Sequence, residues 1–301
     1  MSVKVSNLTK IYGNQKAVNN ISFEAKAGEI LGFLGPNGAG KTTTMKIISC
    51  FVPKTAGEVS VCGYSVDKND KAIRAKIGYL PEHNPLYKDM YVREYLQFIA
   101  GLHRLPNPTK KVDEMVELTG LTRERNKLIS SLSKGYRQRV GLAQAMIHNP
   151  DVLILDEPTT GLDPNQLVEI RQLIRQLGQQ KTMIFSSHVM QEVEALCDKV
   201  LIINKGELVA NDTLANLKSK LKGQQLIIAE FEQELNAEQL QKLSLLGQIQ
   251  SQNNRQIQLQ IQSNQDQRKA VFQFAIAQKL ILLEMRQENF KMDEIFQQLT
   301  Q

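Results

Sequence analysis

The sequence predicts an α/β protein with a mainly parallel sheet, followed by a smaller unit that mixes strands and helices. An apolar strand at 30–34 runs into a glycine-rich loop and then into a helix. Two further apolar strands, at 152–155 and 183–185, each end in polar residues. From residue 223 onward about a quarter of the residues are glutamine, far above ordinary globular usage, which marks a change of unit.

Length and composition agree with this division. A chain of 301 residues with 42% hydrophobic content can bury one large core and one smaller core. We predict two units, residues 1–222 and 223–301, with a helical insert at about 88–150. No apolar run approaches the roughly 20 residues of a membrane span, and the first residues do not form a signal peptide. We therefore expect a cytosolic protein, and its three widely spaced cysteines indicate free thiols.

The net charge of +6 raises the question of a nucleic-acid or membrane partner. From residue 223 onward 7 basic residues stand against 9 acidic ones, so the basic excess lies in the first unit. A polyanionic ligand there partly explains it, and no arginine-rich or basic-aromatic run occurs. We do not expect nucleic acid as a partner.

The first residues alternate apolar and polar side chains at 3–8 and again at 21–25, which predicts two antiparallel strands. Tyr12 falls in the predicted loop between them. An aromatic ring at this place either packs locally or stacks on an adenine base.

The glycine-rich loop runs from Gly35 to Thr42 and fits the phosphate-loop pattern, in which two glycines enclose four residues before Lys-Thr. Its glycines let backbone N–H groups point at phosphate oxygens, and the helix start adds a positive dipole end. Lys41 then reaches the β- and γ-phosphates, and the Thr42 hydroxyl is placed to bind Mg²⁺. The alternative is a glycine turn without a ligand, which the agreement of both flanking elements disfavours.

Short strands are predicted at 58–63 and 75–80, and the pattern then becomes helical, with Asp89 as a candidate cap. A second glycine-bearing helix start follows at Ser133 and Gly135. Such a start either binds phosphate of a nucleotide on a neighbouring subunit or simply caps its helix.

Two strand ends carry the remaining candidate side chains. Asp156 and Glu157 follow the strand at 152–155, and His188 follows the strand at 183–185. We expect Asp156 to bind Mg²⁺ or its waters and Glu157, on the opposite side of an extended backbone, to polarise an attacking water. His188 is placed to donate a hydrogen bond to the γ-phosphate, although a lone histidine is usually structural.

The tail is predicted to have the order β-α-β-β-α-β-α. Strands are expected at 226–231, 256–261 and 280–285, a helix at 271–276 and a last helix over 292–299. No catalytic group is apparent in it, so regulation or dimer contact is the working hypothesis for this unit.

These motifs together resemble an ABC-transporter ATP-binding subunit over about residues 1–220. The resemblance rests on the order and spacing of Tyr12, Gly35–Thr42, Leu132–Tyr136, Ile154–Pro158, Asp163 and His188. The segment Ile77–Tyr87 is similar to the gliding motility-associated branch of export-type cassettes. The tail resembles the small accessory domain that follows many export-type cassettes.

The resemblance implies a P-loop ABC-type domain with a RecA-like core, an antiparallel β subdomain and a helical subdomain, plus an α+β accessory domain. It implies ATP and Mg²⁺ as ligands and a head-to-tail dimer in which Ser133 and Gly135 act on the partner's nucleotide. Glu157 then orients water, His188 senses the γ-phosphate, and Lys41 completes the catalytic set. The expected metal ligands are Thr42, Asp156 and Glu82. The expected nucleotide contacts are Tyr12, Gly35, Pro36, Asn37, Gly38, Ala39, Gly40, Lys41, Thr42, Thr43, Ser133, Gly135 and Asp163.

The implied partners are integral membrane permease subunits and a second ATP-binding subunit, expected to be an identical chain, at the inner face of the cell membrane. Two differences from the usual sequence of this family leave alternative functions open. Glu82 stands where the family usually has glutamine, and Lys134 and Tyr136 replace a glycine and a glutamine of the signature. The alternatives are a soluble ABC-type ATPase that acts on ribosomes or DNA and a weakly hydrolysing regulatory partner in a heterodimer.

Overall fold

The computed structural model describes residues 2–220, 224–263, 265–289 and 296. The chain divides into two compact units, and the boundary falls between Leu214 and Ala215. The boundary expected from composition lies later, at about residue 222. The helix Leu214–Lys220 begins in the first unit and continues into the second.

The first unit contains ten strands and seven complete α-helices among its described residues. Its strands are β1 Val3–Tyr12, β2 Gln15–Ala25, β3 Ile30–Leu34, β4 Ala56–Val61, β5 Tyr64–Ser65, β6 Ile77–Leu80, β7 Val152–Asp156, β8 Thr182–Ser187, β9 Lys199–Asn204 and β10 Glu207–Thr213. Its helices are α1 Lys41–Ile48, α2 Asp70–Lys76, α3 Val92–Leu102, α4 Pro108–Leu118, α5 Lys134–Met146, α6 Pro164–Gly178 and α7 Met190–Leu196, and α8 spans Leu214–Lys220.

The larger sheet has the strand order β10-β9-β3-β8-β7-β6. All neighbours from β9 to β6 are parallel, and β10 joins the edge antiparallel to β9. Every residue of β3, β7 and β8 is buried, as expected for strands covered on both faces. The carboxyl ends of these central strands lie along one edge, where α/β sheets bind their ligands.

The smaller sheet is antiparallel, with the order β2-β1-β4-β5. Its alternating apolar residues share one core with α1 and the larger sheet. The Phe23 and Phe33 rings meet edge to face at 5.0 Å in this core. The core therefore fixes the phosphate loop, which follows β3, against the antiparallel sheet.

Three details differ from the sequence prediction. Lys76 ends helix α2 instead of starting a strand, and its ammonium pairs with Asp151 at 2.7 Å. Helix α3 begins at Val92, later than Asp89 suggested, because the Glu94 carboxylate accepts from the Tyr91 N–H at the helix start. Tyr12 is the last residue of β1 and not a loop residue, since β1 and β2 pair up to Tyr12 and Gln15.

The second unit contains β11 Gln224–Phe231, α9 Ala237–Ser244, β12 Gln248–Asn253, β13 Gln256–Gln262, α10 Arg268–Ala277 and β14 Leu282–Asn289. Its antiparallel sheet has the order β12-β13-β11-β14. Ile257, Leu259 and Ile261 of β13 face its core, whereas the intervening glutamines do not. Strand β14 begins two residues later than expected because Leu282 is the first residue to pair with β11. The helix expected over 292–299 lies outside the described residues, apart from Phe296.

Among the residues described in the structure, no helix is both long and apolar enough to cross a membrane.

Candidate functional site

The phosphate loop has the backbone that its glycines predict. Gly38 and Gly40 have φ of +79° and +107°, and helix α1 starts at the next residue, Lys41. A Cβ on Gly40 would lie 2.5 Å from the Ala17 carbonyl oxygen, so no larger residue fits there. The loop therefore delivers the free N–H groups of the first turn of α1 to its concave side, as phosphate binding requires.

The Lys41 ammonium lies inside this loop and is buried. It donates hydrogen bonds to the carbonyl oxygens of Gly35 at 2.6 Å and Pro36 at 3.2 Å. It also lies 3.6 Å from Glu157 Oε1, and both side chains are only 6% exposed. A buried cation thus faces the phosphate position from the same side as the buried acid at the end of β7.

Asp156 is fully buried at the end of β7 and is held by the neighbouring strand. The Ser186 hydroxyl donates to Asp156 Oδ1 at 2.6 Å and accepts from the Glu157 N–H at 2.9 Å. One serine therefore fixes the two acids relative to each other. The parallel register of β7 and β8 places Asp156 directly beside Ser186.

Glu157 does not continue the strand. Its φ of +50° turns the backbone, so its direction comes from a turn and not from the strand alternation that we assumed. Thr160 Oγ1 donates to Glu157 Oε2 at 3.1 Å, and His188 Nδ1 lies 2.8 Å from the same oxygen. Because a carboxylate only accepts, His188 Nδ1 carries the proton in this contact. His188 is 45% exposed, so its ring is also accessible from solvent.

Two carboxylate oxygens at the site have no hydrogen-bond partner among the described residues. They are Asp156 Oδ2 and Glu157 Oε1, and both are buried. Buried polar atoms are normally paired, so these two are suited to a ligand that arrives from outside the chain. A hard cation fits Asp156 Oδ2, and a water molecule fits Glu157 Oε1. In the described part of the chain no three His, Cys, Asp or Glu residues gather into a metal cage, as expected where phosphates complete the shell.

A cavity of about 330 Å³ brings the predicted phosphate-binding residues together. It is lined by Ala17, Asn37, Gly38, Ala39, Gly40, Lys41, Thr42, Thr43, Glu82 and Glu157. Glu82 is thus on the same cavity as Thr42, which supports its choice as a candidate metal ligand. Asp156, which precedes Glu157 in the chain, is not among the lining residues.

Gly35 and Pro36 belong to the same loop but do not line this cavity, and neither do Tyr12, Ser133, Gly135 and Asp163. Tyr12 is 48% exposed, and the Lys10 ammonium lies 4.8 Å from its ring centroid. Its ring is accessible for stacking, but no contact connects it to the phosphate loop.

The Ser133 segment and the loop after Glu157 pack on each other. Ser133 Oγ caps α5 by accepting from the Tyr136 N–H, and the Asp163 carboxylate caps α6 by accepting from the Gln166 N–H at 2.9 Å. The Gln166 side chain covers Gly135, and the Lys134 ammonium lies over Gly161. Within one chain, both helix starts therefore use their polar groups locally.

Sequence reasoning missed three residues of the site, namely Ser186, Thr160 and Tyr79. Ser186 is detectable in principle, because the strand-end argument that selects His188 applies equally to a serine two residues earlier. Thr160 depends on the turn at Glu157, and Tyr79 on the pairing of β6 with β7. Neither the turn nor the strand pairing can be predicted from the sequence pattern.

The fold and the site define a P-loop nucleotide-binding protein with acids at a neighbouring strand end. Comparisons with known proteins narrow this class. The sequence model of the family described as ABC transporter matches residues 18–160. The bacitracin transport ATP-binding protein BcrA of Bacillus licheniformis is 40% identical over 223 residues, which are 72% of this chain and 72% of that protein.

The linearmycin resistance ATP-binding protein LnrL of Bacillus subtilis (strain 168) is 39% identical over 228 residues, 75% of this chain and 73% of that protein. The dimeric cassette MJ0796 has a TM-score of 0.65 and 27% identity, covering 70% of this chain and 98% of that one. A post-hydrolysis MJ0796 dimer bound to ADP and Pi gives the same TM-score of 0.65 at 28% identity. It covers 70% of this chain and 98% of that one.

The chain belongs to the ABC transporter ATP-binding proteins, and it is an ATPase. The predicted fold class and the resemblance to an ABC-transporter ATP-binding subunit are confirmed. ATP is its nucleotide, and proteins of this family dimerise and work with membrane permeases.

Proposed function

We propose that this chain powers a membrane exporter as a head-to-tail dimer of two identical chains, with Mg²⁺-ATP at each interface. The observation that carries the proposal is that the cavity holds only half of the expected nucleotide contacts. Ser133 and Gly135 lie elsewhere in the same chain. A second copy that presents its own Ser133 segment completes the site. The dimeric cassettes of similar fold support this arrangement.

The chain's own groups divide the chemistry. The α1 N–H groups and Lys41 bind the phosphates, and Lys41 exchanges its two carbonyl contacts for phosphate oxygens. Thr42, Asp156 Oδ2 and Glu82 are the proposed ligands of Mg²⁺, directly or through its waters. When bound, this cation neutralises charge that develops on the transferred phosphoryl group.

Glu157 is the proposed group that orients the attacking water. Its Oε1 is the unpaired oxygen, whereas Oε2 is already held by Thr160 and His188. One oxygen thus anchors the carboxylate and leaves the other to accept a hydrogen bond from water. His188, tied to Oε2, is the proposed sensor of the γ-phosphate, because its ring reaches both the acid and the solvent-accessible side.

The partner groove is the proposed contact with a permease. We use this name for the concave space of about 510 Å³ lined by residues of α1, α2, β6, α3 and α5 and of the loops that follow α1, β6, α3 and α5. Phe51 and Leu102 are 62% and 65% exposed at this groove, and Lys46 and Arg74 add positive charge. Pro81 and His83, which flank Glu82, also line it, so an occupant contacts the segment that carries Glu82. We propose that a permease bound in this groove holds the protein at the inner face of the membrane.

Export is the proposed direction because the relatives are named for bacitracin transport and linearmycin resistance. The assignment to gliding motility rests on the segment Ile77–Tyr87 alone. Disruption of the gene in its host separates the two uses. A gliding role predicts loss of surface motility with unchanged antibiotic susceptibility, and a resistance role predicts the reverse.

The second unit is proposed to support the dimer or regulate it. Deletion of residues 223–301 tests this role. The proposal expects altered self-association or an altered ATPase rate, and it is wrong if both are unchanged.

Co-purification tests the exporter proposal. The Glu157→Gln variant should bind ATP without hydrolysing it and therefore remain an ATP-bound dimer. We would identify the proteins that co-purify with this variant from detergent-solubilised membranes. We expect one or two proteins with several membrane spans. Their recovery should be lost with an added Phe51→Asp substitution in the partner groove and kept with Val168→Asp, which changes a similarly exposed residue on α6.

Other outcomes contradict the proposal in distinct ways. Recovery of ribosomes or DNA-bound proteins without a membrane protein promotes the soluble alternative. Loss of the membrane protein with both Phe51→Asp and Val168→Asp shows that the partner groove is not the specific contact.

A further inference from the structure

Tyr79 connects the partner groove with the ATP site, two sites that the proposed function treats separately. It lies in β6, and its ring lines the partner groove. The ring lies 5.5 Å from that of Phe51, and the Arg74 guanidinium lies 5.8 Å from the Phe51 ring centroid. Because Phe51 is 62% exposed, any occupant of the groove presses on the side chain that covers Tyr79.

The other end of Tyr79 points at the ATP site. Its hydroxyl is buried beside the Asp156 carboxylate and has no hydrogen-bond partner among the described residues. Burial first, and the Asp156 charge second, raise the pKa of Tyr79. The strands explain the approach, since β6 and β7 pair residue by residue up to Leu80 and Leu155, one residue before Asp156.

Tyr79 and Asp156 therefore present complementary unpaired atoms. The phenol proton is a donor without an acceptor, and Asp156 Oδ2 is an acceptor without a donor among the described residues. Packing alone does not require the hydroxyl, because phenylalanine fills the same apolar space without burying a polar atom. A hydrogen bond from this phenol to Asp156 would have an ionised acceptor, and such a bond is stronger than one between neutral groups.

We infer that Tyr79 is a positioning residue that holds Asp156 Oδ2 for Mg²⁺ and that the occupant of the partner groove acts on it through Phe51. The inference rests on the proposed role of Asp156 as a Mg²⁺ ligand. A carboxylate oxygen has two lone pairs, so Oδ2 accepts the phenol proton and still faces the cation or one of its waters. The partner thereby changes how well the site holds its metal, by a route separate from Glu82.

The test measures ATP binding and not turnover. In a Glu157→Gln background, ATP affinity is measured by calorimetry over a series of Mg²⁺ concentrations. Tyr79→Phe should raise the Mg²⁺ concentration for half-maximal binding by about tenfold, the effect of losing a hydrogen bond to a charged group. Tyr64→Phe is the control, since Tyr64 lies in β5 and is exposed.

Phe51→Ala provides the second arm, because it removes the exposed ring that contacts Tyr79. It should shift the Mg²⁺ dependence in the same direction as Tyr79→Phe. The double variant should match Tyr79→Phe alone, because Phe51 acts only through the phenol. Unfolding temperatures without nucleotide confirm that each variant is folded.

Failure of this inference differs from failure of the proposed site. If ATP binding by the parent variant does not depend on Mg²⁺, the proposed metal site is wrong. If the parent depends on Mg²⁺ but Tyr79→Phe stays within about twofold of it, the inference is overturned, because a lost hydrogen bond to a charge has a larger effect. Additive effects of Tyr79→Phe and Phe51→Ala also overturn it.

Discussion

The two glycine-bearing helix starts of the first unit have similar sequences but different surroundings. At the start of α1, the loop leaves its N–H groups free, and Lys41 and Glu157 lie 3.6 Å apart in the lining of a cavity. At the start of α5, Ser133 caps its own helix and Gln166 covers Gly135. The first is a ligand site built within the chain. The second is a surface that can act only on a ligand bound to another chain.

This difference shows why the chain needs a second copy. Lys134 lies over Gly161 and Asp163 caps α6, so the two segments stabilise each other as one exposed surface. The start of α5 can present its N–H groups to the partner's phosphates once the Gln166 side chain moves off Gly135. The following predictions test the contrast between a site that works within the chain and a surface that works on the partner.

The largest expected effect is that of Glu157→Gln on hydrolysis. Glutamine preserves the shape but loses the charge that polarises water, so the ATPase rate should fall by about 100-fold or more. ATP affinity should remain close to that of the wild type, because Lys41 and the α1 N–H groups are unchanged. Steady-state phosphate release and equilibrium ATP binding measure the two quantities.

Glu117→Gln is the control for this change, because Glu117 is an exposed glutamate on α4. It should leave both quantities unchanged. A Glu157→Gln variant that hydrolyses ATP at the wild-type rate would remove Glu157 from the mechanism and leave the cavity as a binding site only.

Mixing two inactive variants tests whether the α5 surface acts on the partner. Lys41→Ala disables the cavity, and Gly135→Asp places a negative charge where the partner's phosphates are expected. Each variant alone should be inactive. In a one-to-one mixture about half of the dimers pair the two variants, and each of these has one intact composite site, so about a quarter of the wild-type activity should return.

The same experiment has a clear contrary result. If Lys41 and Gly135 acted on the same nucleotide within one chain, no dimer in the mixture would contain an intact site. Zero recovery, with dimers detected by sedimentation, would therefore reverse the assignment of Ser133 and Gly135 to the partner's nucleotide.

The sequence predicted the α1 site more completely than the α5 surface. The phosphate loop is local, since strand, glycines, Lys41 and helix follow one another and each constrains its neighbours. Asp156 and Glu157 were also found, because a fully apolar strand with acids at its end is a strong local signal. The reason given for the direction of Glu157 was wrong, since the backbone turns at Glu157 with a positive φ and does not continue the strand alternation.

Contacts between distant segments were beyond sequence reasoning. Ser186 is 30 residues from Asp156, and only the register of β7 and β8 brings them together. The packing of Gln166 on Gly135 likewise depends on how α5 and α6 meet. Such pairs depend on tertiary geometry, which residue types and their periodicity do not specify.

Ser186→Ala should have a moderate effect on both stability and catalysis. Its hydroxyl serves the Glu157 N–H and Asp156 Oδ1 at once, and both partners are buried. Removing it should cost about 1–3 kcal/mol of unfolding free energy and lower the ATPase rate, because both acids lose their shared anchor. Chemical denaturation and steady-state ATPase assays measure the two effects.

The adjacent Ser187 is the matched control. It is equally buried, and its hydroxyl accepts from the Val189 N–H. Ser187→Ala should cost stability while leaving the ATPase rate near that of the wild type. If both serine variants slow hydrolysis equally, Ser186 has no specific role in placing the acids.

The smallest effect is expected at Asp163, where the α5 surface meets the loop from the ATP site. Its carboxylate caps α6 at the Gln166 N–H, so Asp163→Ala should lower the unfolding free energy by about 1 kcal/mol. Asp163→Asn keeps an oxygen acceptor and should retain most of that stability. Denaturation of both variants separates the cap from the charge. If asparagine loses as much stability as alanine, the carboxylate charge and not the capping hydrogen bond stabilises α6, because asparagine removes only the charge.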